Sequence, residues 1–525
     1  MSVSTPYRVI AILFVVGLFL LITQASMHDP ARCAGAVDAS IDATINQALC
    51  PIAHNLQNVV FMGASLDFMG LGLGSASLPL VVLLLVIVSL FLSVYLKFIN
   101  VRGMGYGYRA ALGRFEPEDD SAQGEGKISH FQALSAALSG TVGLGNIAGV
   151  AVAITAGGPG AAFWMVVVAL ILGATKFTEC SLGNKYRVIH PDNTISGGAM
   201  YYLSRGFSNK GAGMAHLGIF LSTLFAIFCI GGSIGAGNMF QANQTYQQIL
   251  ASTGGEQSIF AGLGWLVGLV MAVLVGMVII SGIQRIVHVT EKLVPAMGVV
   301  YIGACLTILI VNYDQIGAAL VQIVQEAFTP QAQYGGFLGA MIWGIKRAVF
   351  SNEAGMGSSP TAYAAVRTTH PISTGMVSLL EPFIDTAIVC VMTALVIVVT
   401  GVHTNVDGVQ GVQLTSQAFG TVVGWFPSVL TIAIALFAFS SMITWSYYGL
   451  KCWTYLFGQA LWIKNTFKII FCLFIIVGAA ADLREIIHIS EAMVFLMVIP
   501  NVIGLAVLAP EVKRDLEEFE RAHRL

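Results

Sequence analysis

The chain has 525 residues, with 25 Lys and Arg against 27 Asp and Glu and a formal net charge of −2. Hydrophobic residues make up 56% and charged ones only 10%, with a mean hydropathy of +0.80, whereas soluble domains carry about 25% charged residues. This excludes a soluble globular protein; the absence of any long basic run or acidic tail excludes a nucleic-acid partner; what remains is an all-α polytopic membrane protein embedded in a lipid bilayer.

A spanning helix needs about 20 mostly apolar residues. That rule places segments near 8–24, 76–98, 131–155, 160–184, 214–240, 259–281, 293–311, 336–364, 374–400, 426–450, 466–481 and 487–509. The first follows Arg8 and is short, which fits an anchor helix or a signal peptide over residues 1–24; no small-x-small cleavage site precedes Met27, which favours the anchor. Residues 25–75 read as a loop outside the membrane, where Cys33 and Cys50 are a candidate disulfide or two free thiols. Within it Asn55–Gly74 is mildly apolar and glycine-rich, as in a segment lying on the membrane surface. Residues 76–130 then supply a peripheral helix and a linker of Gly, Pro and charge.

Lys and Arg set the orientation. They cluster at Lys97–Lys127, Lys185–Lys210, Arg285 and Lys292, Arg367, Lys451 and Lys464, and in the tail over 510–525. The connections 241–258, 312–333 and 401–413 hold none. Every second loop is basic, which puts the C-terminus in the cytoplasm and runs Phe131–Ala153 from inside to outside. The cysteines in apolar segments (Cys180, Cys229, Cys305, Cys390, Cys452, Cys472) read as small buried hydrophobes.

Two segments cannot be smooth helices. Ser139–Asn146 holds Gly140, Gly143 and Gly145 in mid-span, and each glycine costs a helix interior roughly 1 kcal/mol relative to alanine. Phe350–Pro360 combines two glycines, a proline and Glu353 at membrane depth. Unpaired backbone is tolerated there only where it lines a cavity inside the protein. The two breaks run in opposite directions, with Asn146 and Asn352 206 residues apart. Paired interrupted segments of opposite sense point to an inverted-repeat transporter, with repeats over 131–311 and 334–509 of five spans each.

The motifs TVGLGNIAGVAVAITAGGPGAAFWM, ATKFTECSLGNKYR, GGAMYYL, GNMFQANQ, FSNEAGMGSSP and EPFIDTAIVC closely resemble the sodium:alanine (alanine/glycine:cation) symporter family, in the same order from about residue 76 to 509. The resemblance implies a LeuT-like 5+5 fold with discontinuous first and sixth core helices. It implies a bacterial cell-membrane protein that takes up alanine or glycine with Na⁺ or, in some members, H⁺. The segment 8–24 and the Cys33–Cys50 loop extend beyond the usual family pattern.

A small amino acid is a carboxylate and an ammonium a few ångströms apart. Half-helix N-termini suit the carboxylate, and exposed carbonyls suit Na⁺ or the ammonium. We assign the carboxylate to the backbone of Gly143, Leu144 and Gly145, with Thr141 and Asn146 as side-chain partners. The carbonyls near Ser351 and Asn352 face the ammonium, and Gly355 and Met356 shape a small pocket. Close packing of helices through small residues is the other reading of these glycines. Gln241 either reaches the substrate or caps its helix. The LeuT-type resemblance implies an ion site made by Ser440 and Ser441 with carbonyls near Ala137 and Gly140; the plain alternative is a hydroxyl bonded to its own helix.

Ionisable groups within spans need partners. Glu353, Glu381, Asp385, Lys346 and Arg347 are expected to form a lock or gate, with Glu353 as an alternative proton site, and Lys176 to pair with Glu179 at i, i+3. No HExxH or GxSxG occurs and the histidines sit at span ends, so an enzyme is not expected, and no cofactor beyond Na⁺. Two breaks in one chain favour alternating access over a continuous pore.

Overall fold

The computed structural model describes residues 41–65, 77–114, 128–190, 194–280, 283–328, 336–404 and 411–523. The segment 8–24 and Cys33 lie outside the described residues.

Residues 25–75, read as a loop, contain a helix, α1 (Ile41–Val60). It leads to an antiparallel pair of short strands, β1 (Gly63–Ser65) and β2 (Ser77–Pro79). Asn55–Val60 are therefore the C-terminal end of a helix that packs on the final helix of the chain. Then come α2 (Leu80–Tyr95) and the short helices α3 (Ile99–Arg102) and α4 (Met104–Ala111). α2 buries Val82, Leu85 and Leu92 and leaves Ile87 and Val94 exposed, as a peripheral span against lipid does.

α5 (His130–Thr141) starts on a capping box, Ser129 Oγ accepting from Gln132 N–H while Gln132 Oε1 accepts from Ser129 N–H. After Thr141 the chain leaves helical geometry, passes through a π turn at Gly145–Gly149 and resumes as α6 (Val150–Gly157), bent by 52° from α5. α7 (Gly160–Lys185) follows, with strands β3 (Val188–Ile189) and β4 (Ile195–Ser196) and α8 (Ala199–Ser208). α9 (Ala212–Ile234) runs through a second π turn, Gly235–Met239, into α10 (Phe240–Ser252). α11 (Gly264–Ile279) and α12 (Ile283–Val311) complete the first half. α12 begins ten residues before the predicted 293. Ile286, Val287, Thr290, Val294 and Met297 form a buried stripe at helical spacing there, although the intervening charges lower the hydropathy.

The connection 312–333, which fell between the predicted spans, holds a further helix, α13 (Tyr313–Phe328). Ala319, Ile323 and Ala327 recur every four residues and are buried, a pattern too narrow for a hydropathy window to detect. α14 (Gly336–Asn352) ends at the second break and a single turn, α15 (Pro360–Tyr363), resumes beyond it. α16 (Pro371–Ser378) widens into a π segment, Phe383–Cys390, before α17 (Val391–Val399). α18 (Val412–Gly420), α19 (Phe426–Phe457), α20 (Leu461–Ala480) and α21 (Leu483–His523) close the chain. α21 extends past residue 509 because Val512, Leu516 and Phe519 keep a buried face, helped by ion pairs from Lys185 to Glu511 (2.6 Å) and Arg102 to Glu520 (3.0 Å).

Among the described residues seven helices are long and apolar enough to cross a membrane, eight with the bent pair, and α2 and α11 are shorter apolar helices. α5, α6 and the second half of α14 are buried at the centre, between α7, α12 and α19. α12 turns apolar side chains such as Val299 (74% exposed) and Ile310 (69%) outwards, where lipid replaces protein contacts.

Candidate functional site

The two breaks lie against each other. A Cβ on Gly145 would stand 3.3 Å from the Cα of Ser351, so backbone meets backbone and any larger residue would press the two breaks apart by a few tenths of an ångström. At Gly143 an added Cβ would collide with Ser441 Oγ and lie 3.4 Å from Gln241 Oε1. Gly143, Gln241 and Ser441 thus converge from three helices.

The amides freed by the first break are held by side chains. Gly143 N–H donates to Asn146 Oδ1 (2.8 Å) and Leu144 N–H to Gln241 Oε1 (3.3 Å). Gln241 therefore reaches the break with its oxygen, while its Nε2 donates to the Ala236 carbonyl of its own helical stretch at 3.1 Å. Asn146 Nδ2 donates in turn to Asp385 Oδ1 (2.6 Å) and to its carbonyl (3.0 Å). Ser351 Oγ and Thr386 Oγ1 both donate to Asp385 Oδ2, at 2.7 and 2.8 Å, and Asn352 Nδ2 donates to Thr386 Oγ1 at 3.2 Å. Asp385 thereby joins the two breaks. It is fully buried and, among the described residues, makes no ion pair.

On the other side of the first break, Ser139 Oγ donates to the Ser440 carbonyl (2.9 Å), lies 2.7 Å from Ser440 Oγ and accepts from Thr444 Oγ1 (3.0 Å). Ser440 Oγ also approaches the Ser139 carbonyl at 3.3 Å, a bond between helices and not back onto its own. Ser441 Oγ is buried with no hydrogen-bond partner. Thr141 Oγ1 donates to the Ala137 carbonyl within its own helix (3.3 Å), so its hydroxyl is engaged locally and not with the backbone of the break. Gly140 faces Thr444 and, at 3.4 Å from its added Cβ, Glu353 Oε1.

Several expectations need correction at the second break. Glu353 adopts a left-handed conformation (φ 57°), and Asn352 Oδ1 accepts from Ala354 N–H at 3.0 Å, which turns the chain. The Asn352 carbonyl, expected to face a ligand ammonium, accepts from the protein's own Lys176 Nζ at 3.0 Å. Gly355 does not face the first break: its added Cβ would strike Leu85 of α2 and lie 3.6 Å from Thr175 of α7. Met356 is fully buried.

The expected charge network divides into separate groups. Lys176 pairs with Glu381 (2.8 Å), not Glu179, and also donates to Ser359 Oγ (2.6 Å). Glu179 Oε2 accepts from Gly357 N–H (3.2 Å) and Asn501 Nδ2 (2.9 Å). Glu353 accepts from Ser358. Lys346 (2.7 Å) and Arg347 both pair with Glu491 of α21. Glu491 was missed, although a carboxylate inside the span 487–509 is itself a signal. Ser139 and Thr444 were missed as well; both lie within three residues of hydroxyls that were picked. Phe240 and Phe350 pack edge to face at 5.1 Å beside the breaks.

The arrangement brings together side-chain-held amides at a half-helix end, an unpartnered hydroxyl, a buried carboxylate and a packed wall.

The model of the sodium:alanine symporter family matches residues 71–525. The sodium/alanine symporter AgcS of Methanococcus maripaludis is 37% identical over 439 residues, covering 83% of this chain and 93% of that protein. A Bacillus subtilis protein named "Probable sodium/glutamine symporter GlnT" is 31% identical over 435 residues, covering 82% and 86%. Among solved structures, MhsT in complex with L-phenylalanine aligns with a TM-score of 0.49 at 16% identity, covering 74% of this chain and 89% of that one.

Proposed function

Since the chain belongs to the sodium:alanine symporter family, we propose that it is a secondary active symporter that takes up alanine or glycine with Na⁺ by alternating access. The observation that carries this reading is the pair of amides at Gly143 and Leu144, held by Asn146 and Gln241 beside the partnerless Ser441 hydroxyl. Side chains that hold backbone amides can yield them to a ligand without leaving a buried donor unpaired. A substrate carboxylate takes those amides at the positive end of the half-helix, and its ammonium turns towards the Ser351 carbonyl. Na⁺ is held by the Ala137 and Gly140 carbonyls together with the Ser440 and Ser441 hydroxyls. Because Na⁺ and the carboxylate flank one short backbone stretch, each favours the other's binding, and that positive coupling free energy links the two fluxes.

The close approach of Gly145 to Ser351 favours a side chain no larger than a methyl group. The halves 131–311 and 334–509 form the two inverted repeats, with the basic loops and the C-terminus in the cytoplasm. On that orientation α1 lies outside, where a disulfide is stable; Cys50 is disulfide-bonded.

The test is uptake of radiolabelled alanine into proteoliposomes. Accumulation above equilibrium only under an imposed Na⁺ gradient is the expected result. Equilibration without a gradient refutes symport, and accumulation driven by a pH gradient alone refutes Na⁺ as the coupling ion.

A further inference from the structure

Glu491 carries more positive charge than it can neutralise. Lys346 Nζ lies 2.7 Å from one oxygen and Arg347 pairs with the other, with side-chain exposures of 7%, 1% and 1% for Lys346, Arg347 and Glu491. Among the described residues no second carboxylate pairs with either cation. Two buried cations on one carboxylate leave one charge unmatched, and a buried charge without a counter-charge is unfavourable.

Ring faces supply the missing attraction. Trp343 lies 4.6 Å from Lys346 Nζ and 5.7 Å from Arg347 Cζ, and Phe350 lies 5.2 Å from Arg347 Cζ. The nearest face of all belongs to Phe61, 4.2 Å from Lys346 Nζ. Phe61 also packs edge-on against Phe495 at 5.1 Å, one turn beyond Glu491 on α21. It therefore touches both helices, α14 and α21, that this charge cluster ties together.

Phe61 comes from outside the part of the chain that the family model matches, which begins at residue 71. It is delivered by an anchored segment. Asn46 Oδ1 on α1 accepts from Asp482 N–H at 2.6 Å, just before α21. Beyond Phe61, the Met62 carbonyl accepts from Leu80 N–H at 3.2 Å and β1 pairs with β2.

We propose that Phe61 is a positioning residue for the outer ion-pair lock: its ring face holds the Lys346 ammonium on Glu491 and so favours the arrangement closed to the outside. The proposal rests on the transport reading above, in which α1 lies on the substrate's entry side. A cation over a desolvated ring is worth a few-fold to tens-fold in an equilibrium. A transporter held closed binds external substrate with an apparent affinity reduced by the fraction that is open.

The test uses the full-length protein. Phe61→Ala and Phe61→Leu should each lower the half-saturating external alanine concentration by roughly two- to tenfold, while Phe61→Tyr and Phe61→Trp keep the wild-type value. Leu retains an apolar contact with Phe495 without a ring face, so a Leu variant that behaves as wild type overturns the proposal. Unchanged half-saturation in both Ala and Leu variants overturns it too, as does a change in maximal rate alone, which is what mere scaffolding gives. Hydrogen–deuterium exchange over residues 485–498 without substrate should rise in Phe61→Ala and Phe61→Leu and not in Phe61→Tyr. That arm does not depend on alanine being carried: absent wild-type uptake sinks the transport reading, and unchanged exchange sinks this one.

Discussion

Asn146 holds Asp385 at 2.6 Å with one end of its amide and the Gly143 N–H at 2.8 Å with the other. One side chain thus links the freed backbone of the first break to the carboxylate that also receives Ser351 from the second. Any ligand that takes the Gly143 amide must turn Asn146, and Asp385 registers the turn.

Charge and scaffold at Asp385 can be separated. Asp385→Asn keeps one oxygen for Asn146, and the Ser351 and Thr386 hydroxyls can rotate to accept from the new amide. It should cost about 1 kcal/mol of stability while uptake falls at least tenfold. Asp385→Ala removes all three acceptor contacts and should lose about 2–4 kcal/mol, since three buried donors are left unpaired. Thermal unfolding in detergent and proteoliposome uptake measure the two effects. Wild-type uptake by Asp385→Asn shows that the negative charge has no part in transport.

Gly145 and Gly149 make a matched pair in one π turn. A Cβ at Gly145 meets the Ser351 backbone at 3.3 Å, whereas at Gly149 it meets only the flexible Arg347 side chain at 3.9 Å. Gly145→Ala should spread the breaks and reduce uptake tenfold or more; Gly149→Ala should transport within about twofold of wild type, because alanine also suits a helix better than glycine. Equal effects of the two substitutions reject the close approach as the reason for glycine at 145.

The neighbouring serines differ in the same way. Ser441 Oγ has no partner, whereas Ser440 is bonded to Ser139. Ser441→Ala removes no hydrogen bond, so it should leave stability nearly unchanged, and it should raise the Na⁺ concentration for half-maximal uptake several-fold. Ser440→Ala should add a stability loss of about 1 kcal/mol, since it removes a buried interhelical hydrogen bond. A Na⁺ dependence unchanged in Ser441→Ala removes that hydroxyl from the ion site.

How much of this was legible in the sequence follows from what each signal reports. The break at Gly143–Asn146 was readable because three glycines in one span are a local property. So was the turn at Asn352–Gly355, where a glutamate and glycines interrupt an apolar run. Direction was not: Gly355 faces Leu85 because Glu353 and Gly355 both take left-handed conformations, and spacing cannot say which way such a turn points. Glu381 and Asp385 read as one patch at i, i+4. The chain winds as a π helix from Phe383, which widens the turn, and the two carboxylates go to Lys176 and Asn146 respectively. Lys176 and Glu179 are neighbours in sequence, but the nearer carboxylate comes from 205 residues further on, at Glu381. Long-range pairing leaves no local trace, so α1 and the role of Phe61 just after it, both outside every predicted span, were also missed.

The Lys176–Glu381 pair tests whether that long-range charge is structural. Both side chains are fully buried at 2.8 Å, and the Lys176 ammonium also holds the Asn352 carbonyl and Ser359. Lys176→Met strands Glu381 without a counter-charge and frees the carbonyl that ends α14, so it should cost about 3–5 kcal/mol. Glu381→Gln leaves the ammonium buried with two neutral acceptors and should cost a similar amount. The double variant carries neither charge, and replacing a buried pair as a unit is often nearly neutral, so it should recover at least half of either single loss. The cycle is read from thermal unfolding of the purified protein. Uptake should not recover with stability, because the Asn352 carbonyl at the end of α14 then lacks the ammonium that α7 donates to it; a double variant with wild-type uptake would show that the pair serves folding alone, and additive losses would show that the two charges do not interact.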